Sequence, residues 1–198
     1  LRPPLVSLSV LDRSGADLVL GCDIVVASNP DSLSKMARDR TAVVANDHVA
    51  PTADFATNPN LDLSSKGMED AISQVASAKD AHFVSATALA TALLGDAIGT
   101  NLFLVGYAFQ LGRIPVSLGA LERAIELNGQ AVAMNKRALA WGRLAAHDLA
   151  RVRDIAAPLL RGTVEGAEAG IDGHAQTLDE LVEHRSTELR AYHGRGLA

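Results

Sequence analysis

The chain has 198 residues, 48% of them hydrophobic, and a formal net charge of −5 at neutral pH. This composition is typical of a globular protein with a real core, and the absence of a Lys/Arg cluster disfavours a nucleic-acid partner. The single cysteine excludes an internal disulfide and an iron–sulfur cluster held by this chain alone, because such a cluster normally takes four thiolates.

The sequence carries neither a leader nor a membrane-spanning pattern, which favours a cytoplasmic location and no membrane partner. Its first residues lack a basic region followed by a continuous apolar one. The apolar segment 86–112 is interrupted by Gly95, Asp96 and Gly99, whereas a spanning helix needs about 20 apolar residues. Cys22 lies in the run LVLGCDIVVAS, so we expect a small buried hydrophobic side chain.

The first half of the chain alternates between patterns of strand and helix. Continuous apolar runs predict buried strands at Asp23–Ser28 and Thr41–Ala45, and a short strand follows at His82–Ser85. Asn29 and Pro30 are typical of a helix start, and another helix is expected over 68–77. This order predicts a three-layer α/β/α fold with a mostly parallel sheet, followed by a helical block.

The helical block contains three patterns. Residues 102–111 are apolar on all sides, which predicts a helix buried all round. Ser117 as N-cap and Gly129 as terminator bound a second helix. A third helix over 130–148 has Asn135 in the middle of its apolar arc, so we expect that amide to be buried and hydrogen-bonded to nearby backbone.

The sequence after Pro158 is rich in glycine and of mixed charge, which is typical of a linker. A capping box, Thr177 with Glu180, then predicts a further helix. We therefore expect an α/β domain over 1–157, a linker over 158–176 and the start of a following helical domain over 177–198.

Polar side chains follow the second predicted strand in a long irregular segment. Ligands of open parallel sheets bind beyond the carboxyl ends of strands, so Asn46, His48 and Thr52 are candidate ligand-binding residues. Asn29 at a helix start and Asn101 near the apolar helix are weaker candidates. The alternative is that these residues make turns and caps only, and the patterns favour that reading. No metal site is predicted.

Three stretches resemble the gamma domain of 2-oxoacid:ferredoxin oxidoreductases over about residues 15–148. They are GCDIVVA, the N-x-H-x-x-P-T-A-D-F segment at Asn46–Phe55, and the L-N-G-x-A-V-x-x-N run at Leu127–Asn135. Within that family the chain most resembles the long fused bacterial indolepyruvate enzymes. The segment Thr177–Gly194 is similar to the opening of the domain that follows in those enzymes.

The resemblance implies an enzyme that oxidatively decarboxylates an aryl 2-oxoacid, with coenzyme A accepting the acyl group and ferredoxin the electrons. Thiamine diphosphate and 4Fe–4S clusters would carry the chemistry, and the protein would position them. This chain lacks the family's thiamine motif, its cluster cysteines and its glycine-rich opening loop. The resemblance therefore implies a domain that is incomplete at its N-terminus, has no catalytic residue of its own, and works with other domains or subunits of the same enzyme.

Two other functions are consistent with parts of the sequence. A non-catalytic interaction or scaffold domain would need no ligand site of its own. A nicotinamide-dependent dehydrogenase is disfavoured, because the glycine-rich dinucleotide fingerprint is absent.

Overall fold

The structure is a computed structural model that describes residues 12–49, 65–77 and 79–171, with 161–171 as backbone only. Its strands and helices, in chain order, are β1 (Leu18–Gly21), α1 (Ile24–Ala27), α2 (Pro30–Ser34), β2 (Ala42–Asn46), α3 (Ser65–Val75), β3 (Ala81–Val84), α4 (Ala86–Leu94), a 3₁₀ turn (Ala97–Gly99), α5 (Thr100–Gln110), α6 (Leu118–Asn128), α7 (Val132–His147) and α8 (Leu149–Ile171).

The described strands form a parallel sheet in the order β1-β2-β3. Leu18 lies opposite Ala42, and Val43 lies opposite Ala81. α1 and α3 pack on one face, whereas α5 lies between the other face and α7. The prediction of an α/β fold with flanking helices and a helical block is confirmed.

The core on the first face is built from alternate strand residues and the helices above them. It contains the buried side chains Ile24, Ala27, Met36, Val43, Ala45, Ile72 and Ala76. Neighbouring strand residues point to the opposite face. There the ring of His82 lies 5.8 Å from that of Tyr107 on α5, between ring centroids.

The prediction of a strand at Asp23–Ser28 is wrong. That run forms the short helix α1, because the Asp23 carboxylate accepts a hydrogen bond from the backbone N–H of Val25 at 2.8 Å and caps the turn. Ile24 and Ala27 face the core at helical spacing, while Val26 is 56% exposed. The strand lies just before it, as β1. Cys22 falls in the turn between them and is exposed, so the prediction of a buried thiol is also wrong.

The three helices of the helical block lie where the sequence predicts them. The Ser117 side chain accepts from the Ala120 N–H at 3.2 Å, and Gly129 ends α6 at φ 72°. Asn135 is only partly buried, contrary to prediction, because it lies at the first turn of α7 beside a cleft. Its amide does donate to backbone, to the Gln130 carbonyl at 2.9 Å.

α5 and α7 approach each other closely enough for their backbones to touch. A Cβ atom on Gly142 would lie 1.9 Å from the Phe103 carbonyl oxygen, and one on Gly106 would lie 2.1 Å from that of Leu139. Such separations are impossible for carbon and oxygen, so only glycine fits at either position. Phe103 and Leu104 on α5 are then completely buried.

The chain divides into two compact units, Leu1–Leu159 and Leu160–Ala198. α8 runs through Pro158 to Ile171, so the first part of the predicted linker is helical. The predicted helix after Thr177 lies outside the described residues, and the predicted domain division stays a prediction. Within the described part, no helix is long and apolar enough to span a membrane.

The close approach of α5 and α7 predicts that alanine destabilises the protein at Gly106 or Gly142 but not at a glycine outside this contact. Gly142→Ala or Gly106→Ala should lower the free energy of unfolding by about 2–3 kcal/mol, because the new methyl group forces the helices apart. Gly119→Ala on α6 is the matched control, since nothing lies within 4 Å of its new Cβ, and it should stabilise by about 0.4–1 kcal/mol. Urea denaturation measures both. Equal effects at the three positions would contradict the contact.

Because the His82 imidazole is partly buried, we expect the protein to lose stability in mild acid. Burial lowers the pKa of its imidazole, Asp80 opposes this shift and Arg113 adds to it. The folded state therefore disfavours the proton that the unfolded chain binds below about pH 6.5, so stability is highest above that pH and falls as the pH drops below it.

Thermal melts between pH 7.5 and 5 measure this loss, and His82→Phe should reduce the pH dependence. An unchanged dependence in His82→Phe would show that other groups cause it.

Candidate functional site

The carboxyl ends of the three described strands meet at one edge of the sheet. Cys22 and Asp23 follow β1, Asp47 and His48 follow β2, and Ser85 follows β3. This is the edge at which open parallel sheets bind ligands. We call these strand ends and the start of α4 the carboxyl edge.

The side-chain amide of Asn46 connects the segments of the carboxyl edge through hydrogen bonds. The residue is 3% exposed, and its Nδ2 donates to the Cys22 carbonyl at 3.2 Å and to Thr87 Oγ1 at 2.9 Å. Its Oδ1 accepts from the Thr87 backbone N–H at 3.2 Å, in the first turn of α4. One amide therefore connects the turn after β1, the end of β2 and the start of α4.

A second set of contacts fixes the backbone beyond Asn46. Asp47 N–H donates to the Val84 carbonyl at 3.1 Å, and Ser85 Oγ donates to Asp47 Oδ2 at 2.8 Å. Thr100, which is almost completely buried, donates to the Ala97 carbonyl at 2.6 Å, and its hydroxyl lies 3.4 Å from Thr87 Oγ1. These contacts extend the network from β2 to the start of α5.

His48 lies one residue beyond this network and is exposed. Its imidazole makes no hydrogen bond to the described residues, whereas Asn46 uses its whole amide within the protein. Of the two described candidates that end or follow β2, His48 is therefore the one whose side chain is left able to meet a ligand. Thr52 lies outside the described residues.

The structure does not join the other two candidates to Asn46 or His48 by any hydrogen bond between described residues. Asn29 is exposed, and its Oδ1 accepts from the Ser32 N–H at 2.8 Å as the N-cap of α2. This capping is the simpler interpretation that the sequence favoured. Asn101 is exposed on the first turn of α5, next to Thr100. Whether any of the five binds a ligand stays a prediction.

The network depends on hydroxyl residues that the sequence reading missed. Ser85 and Thr87 directly follow β3, and Thr100 opens α5. Their signal was present, because hydroxyl residues spaced two apart at a strand-to-helix junction are suited to bind neighbouring polar groups.

A shallow cavity of about 290 Å³ lies beside the network, at the end of β1. It is lined by Val19, Leu20, Gly21, Cys22, Asp23, Val26, Ala27 and Ser32. The Ser32 hydroxyl donates to the Val26 carbonyl at 2.8 Å, which fixes the wall formed by α1 and α2. The carboxyl edge therefore offers polar groups after β2 and a mainly apolar recess after β1.

The donor atoms of the described residues do not form a ligand set for a metal ion or an iron–sulfur cluster. No group of three or more His, Cys, Asp or Glu side chains in the described ranges is placed to hold a metal ion. Cys22 is the chain's one thiol, and an iron–sulfur cluster normally takes four. The arrangement can bind and position a ligand by shape and hydrogen bonds.

The family model for pyruvate ferredoxin/flavodoxin oxidoreductase matches residues 11–145, which is more than half of the chain. The chain belongs to this family. Its match covers the sheet, the carboxyl edge and most of α7, so the resemblance to the gamma-type domain of 2-oxoacid:ferredoxin oxidoreductases is confirmed. No curated protein and no solved structure matches the chain.

The network predicts that Asn46 in this pyruvate ferredoxin/flavodoxin oxidoreductase domain stabilises the fold. Asn46→Ala should lower the free energy of unfolding by about 1–3 kcal/mol, because it removes a buried amide and leaves the Cys22 carbonyl and the Thr87 N–H, both partly shielded from water, without their partner. Asn101→Ala, at an exposed position, should change it by less than about 0.5 kcal/mol. Equal unfolding midpoints for both variants in urea would contradict the role of Asn46.

Proposed function

We propose that this chain is the gamma-type domain of an oxidoreductase that acts on an aryl 2-oxoacid such as indolepyruvate. The family match over residues 11–145 is the observation that carries the enzyme class. The resemblance of the Asn46–Phe55 and Leu127–Asn135 runs to the fused indolepyruvate enzymes supports the aryl substrate. The reaction converts the 2-oxoacid anion and coenzyme A into acyl-coenzyme A and carbon dioxide; the thiol proton is released to solvent, and two electrons pass to ferredoxin.

Thiamine diphosphate and 4Fe–4S clusters, held by other parts of the enzyme, supply the carbon and electron chemistry. This domain supplies a rigid edge. The Asn46 amide and the Asp47–Ser85 contact hold the ends of β2 and β3, so the chain leaves the sheet at His48 in a fixed direction. We infer that His48 and the following segment with Thr52 border the substrate or coenzyme A, with Asn29 and Asn101 at the periphery.

The proposal makes the chain one part of an assembly. Its partners are the other domains or subunits of the same enzyme, ferredoxin as electron acceptor, and coenzyme A as acyl acceptor. We place the enzyme in the cytoplasm, and we propose neither a nucleic-acid nor a membrane partner.

A non-catalytic scaffold is the second candidate function, and one observation favours it. The Asn46 amide forms its hydrogen bonds within the protein, and the Asn29 side chain accepts a hydrogen bond as the N-cap of α2. Under this alternative the polar carboxyl edge stabilises the domain, and the ligand sites lie wholly in other domains.

Substitution of His48 in the complete enzyme distinguishes the two functions. His48→Ala should lower kcat/KM for the 2-oxoacid or for coenzyme A by about tenfold, which corresponds to about 1.4 kcal/mol. The melting temperature should stay within about 1 °C of wild type, because the side chain is exposed. Lys79→Ala, exposed in the turn before β3 at the opposite edge of the sheet, is the control. Unchanged kinetics in His48→Ala would favour the scaffold.

The same assay tests the substrate separately. Wild-type enzyme should show a higher kcat/KM for indolepyruvate than for pyruvate, and the reverse order would overturn the aryl assignment while leaving the family intact. The isolated chain should reduce no artificial electron acceptor with indolepyruvate, because it holds one cysteine and no cluster ligand set. Turnover by the isolated chain would contradict the proposal that other parts of the enzyme hold the thiamine diphosphate and the clusters.

A further inference from the structure

A depression runs along the exposed side of α7, beside the end of α5 at Gln110. Two adjoining cavities, of about 400 and 220 Å³, lie in this depression and share Ala140 and Leu144 as lining residues. We call it the α7 groove. It is further lined by Gln110, Arg137, Trp141, Arg143 and His147.

The α7 groove lies on a second apolar face of α7. The first apolar face of this helix packs against α5. Ala138, Leu139, Gly142 and Ala145 are buried on the α5 side. Ala140, Trp141 and Leu144 lie on the other side at i, i+1 and i+4, and Trp141 and Leu144 are only partly buried. Contact with α5 does not account for this second stripe, which has the spacing of a helix-binding surface.

The rim of the groove is basic. Arg137, Arg143 and His147 line it, and no acidic residue does among the described residues. Arg137 forms no ion pair with any described residue. Arg143 is held in position, because its guanidinium lies 5.6 Å from the Phe109 ring centroid and donates to Gln110 Oε1 at 3.2 Å. This basic rim stands out on a chain with a net charge of −5.

We propose that the α7 groove binds an acidic amphipathic helix of another polypeptide. The stripe from Arg137 to His147 spans about 15 Å at 1.5 Å per residue, which matches roughly three turns of a bound helix. Apolar residues of that helix would cover Ala140, Trp141 and Leu144, and its carboxylates would pair with Arg137 and Arg143.

Two other occupants fit the groove less well. Two-fold pairing with a second copy would bring the arginines of one groove against those of the other, which is unfavourable. A nucleic acid needs polar or basic groups that bind its phosphates, whereas Ala140 and Leu144 make the floor of the groove apolar. An acidic helix satisfies both the charge of the rim and the apolar floor.

The chain contains its own reporter for the test, because Trp141 is its single tryptophan. The probe is a synthetic three-to-four-turn helical peptide with leucine at i, i+3, i+4 and i+7 and glutamate on both flanks. Titration into the 198-residue chain should saturate and shift the Trp141 emission to shorter wavelength. The same peptide with lysine in place of glutamate should bind at least tenfold more weakly.

Charge reversal in the groove identifies the binding surface. Arg137→Glu should weaken binding of the acidic peptide at least tenfold and improve binding of the lysine peptide. Lys66→Glu changes the net charge equally on α3, at the opposite face of the sheet, and should leave both affinities within twofold. Melting temperatures confirm that the variants fold, since both positions carry largely solvated charges.

Four outcomes would overturn the proposal. They are no saturable emission shift with the acidic peptide, equal loss in both charge variants, an equal response to a single-stranded oligonucleotide, and an emission shift that follows protein concentration without peptide. The third outcome would indicate a general anion-binding groove, and the fourth a self-association surface.

Discussion

The backbone contact between α5 and α7 is the constraint on which the rest of the domain depends. α5 has almost no polar side, so it is stable only when covered on both sides, by the sheet and by α7. Gly106 and Gly142 make this possible, because any larger residue would collide with a carbonyl of the facing helix. With α5 fixed, Tyr107 packs against His82 and Thr100 reaches the Thr87 hydroxyl at the carboxyl edge.

The carboxyl edge has polar groups with different tasks. Asn46 is buried and spends its amide on three partners within the protein, which stabilises the ends of the strands. His48 is exposed two residues later. Under the proposed function, Asn46 holds the strand ends in place while His48 faces the ligand that other domains of the enzyme act on.

The two faces of α7 show the same division between stability and assembly. Small residues on one face allow close contact with α5, whereas larger and basic residues on the other form the α7 groove. The first face is required for the close contact with α5, and the second is the surface that we propose binds a partner. The two proposals assign partner binding to the groove and ligand binding to the carboxyl edge, which are separate surfaces of the domain.

The sequence by itself determined the fold class, the parallel sheet, the strand at β2 and the bounds of α6, because apolar runs, N-caps and terminal glycines are local signals. Its motifs also identified the family. Only the tertiary structure decided that Asp23–Ser28 is helical, since a short apolar run suits a buried strand or helix equally and the Asp23 cap settled it. Only the structure showed that Asn46 is enclosed and Cys22 exposed, because burial of a single side chain depends on which segments meet around it.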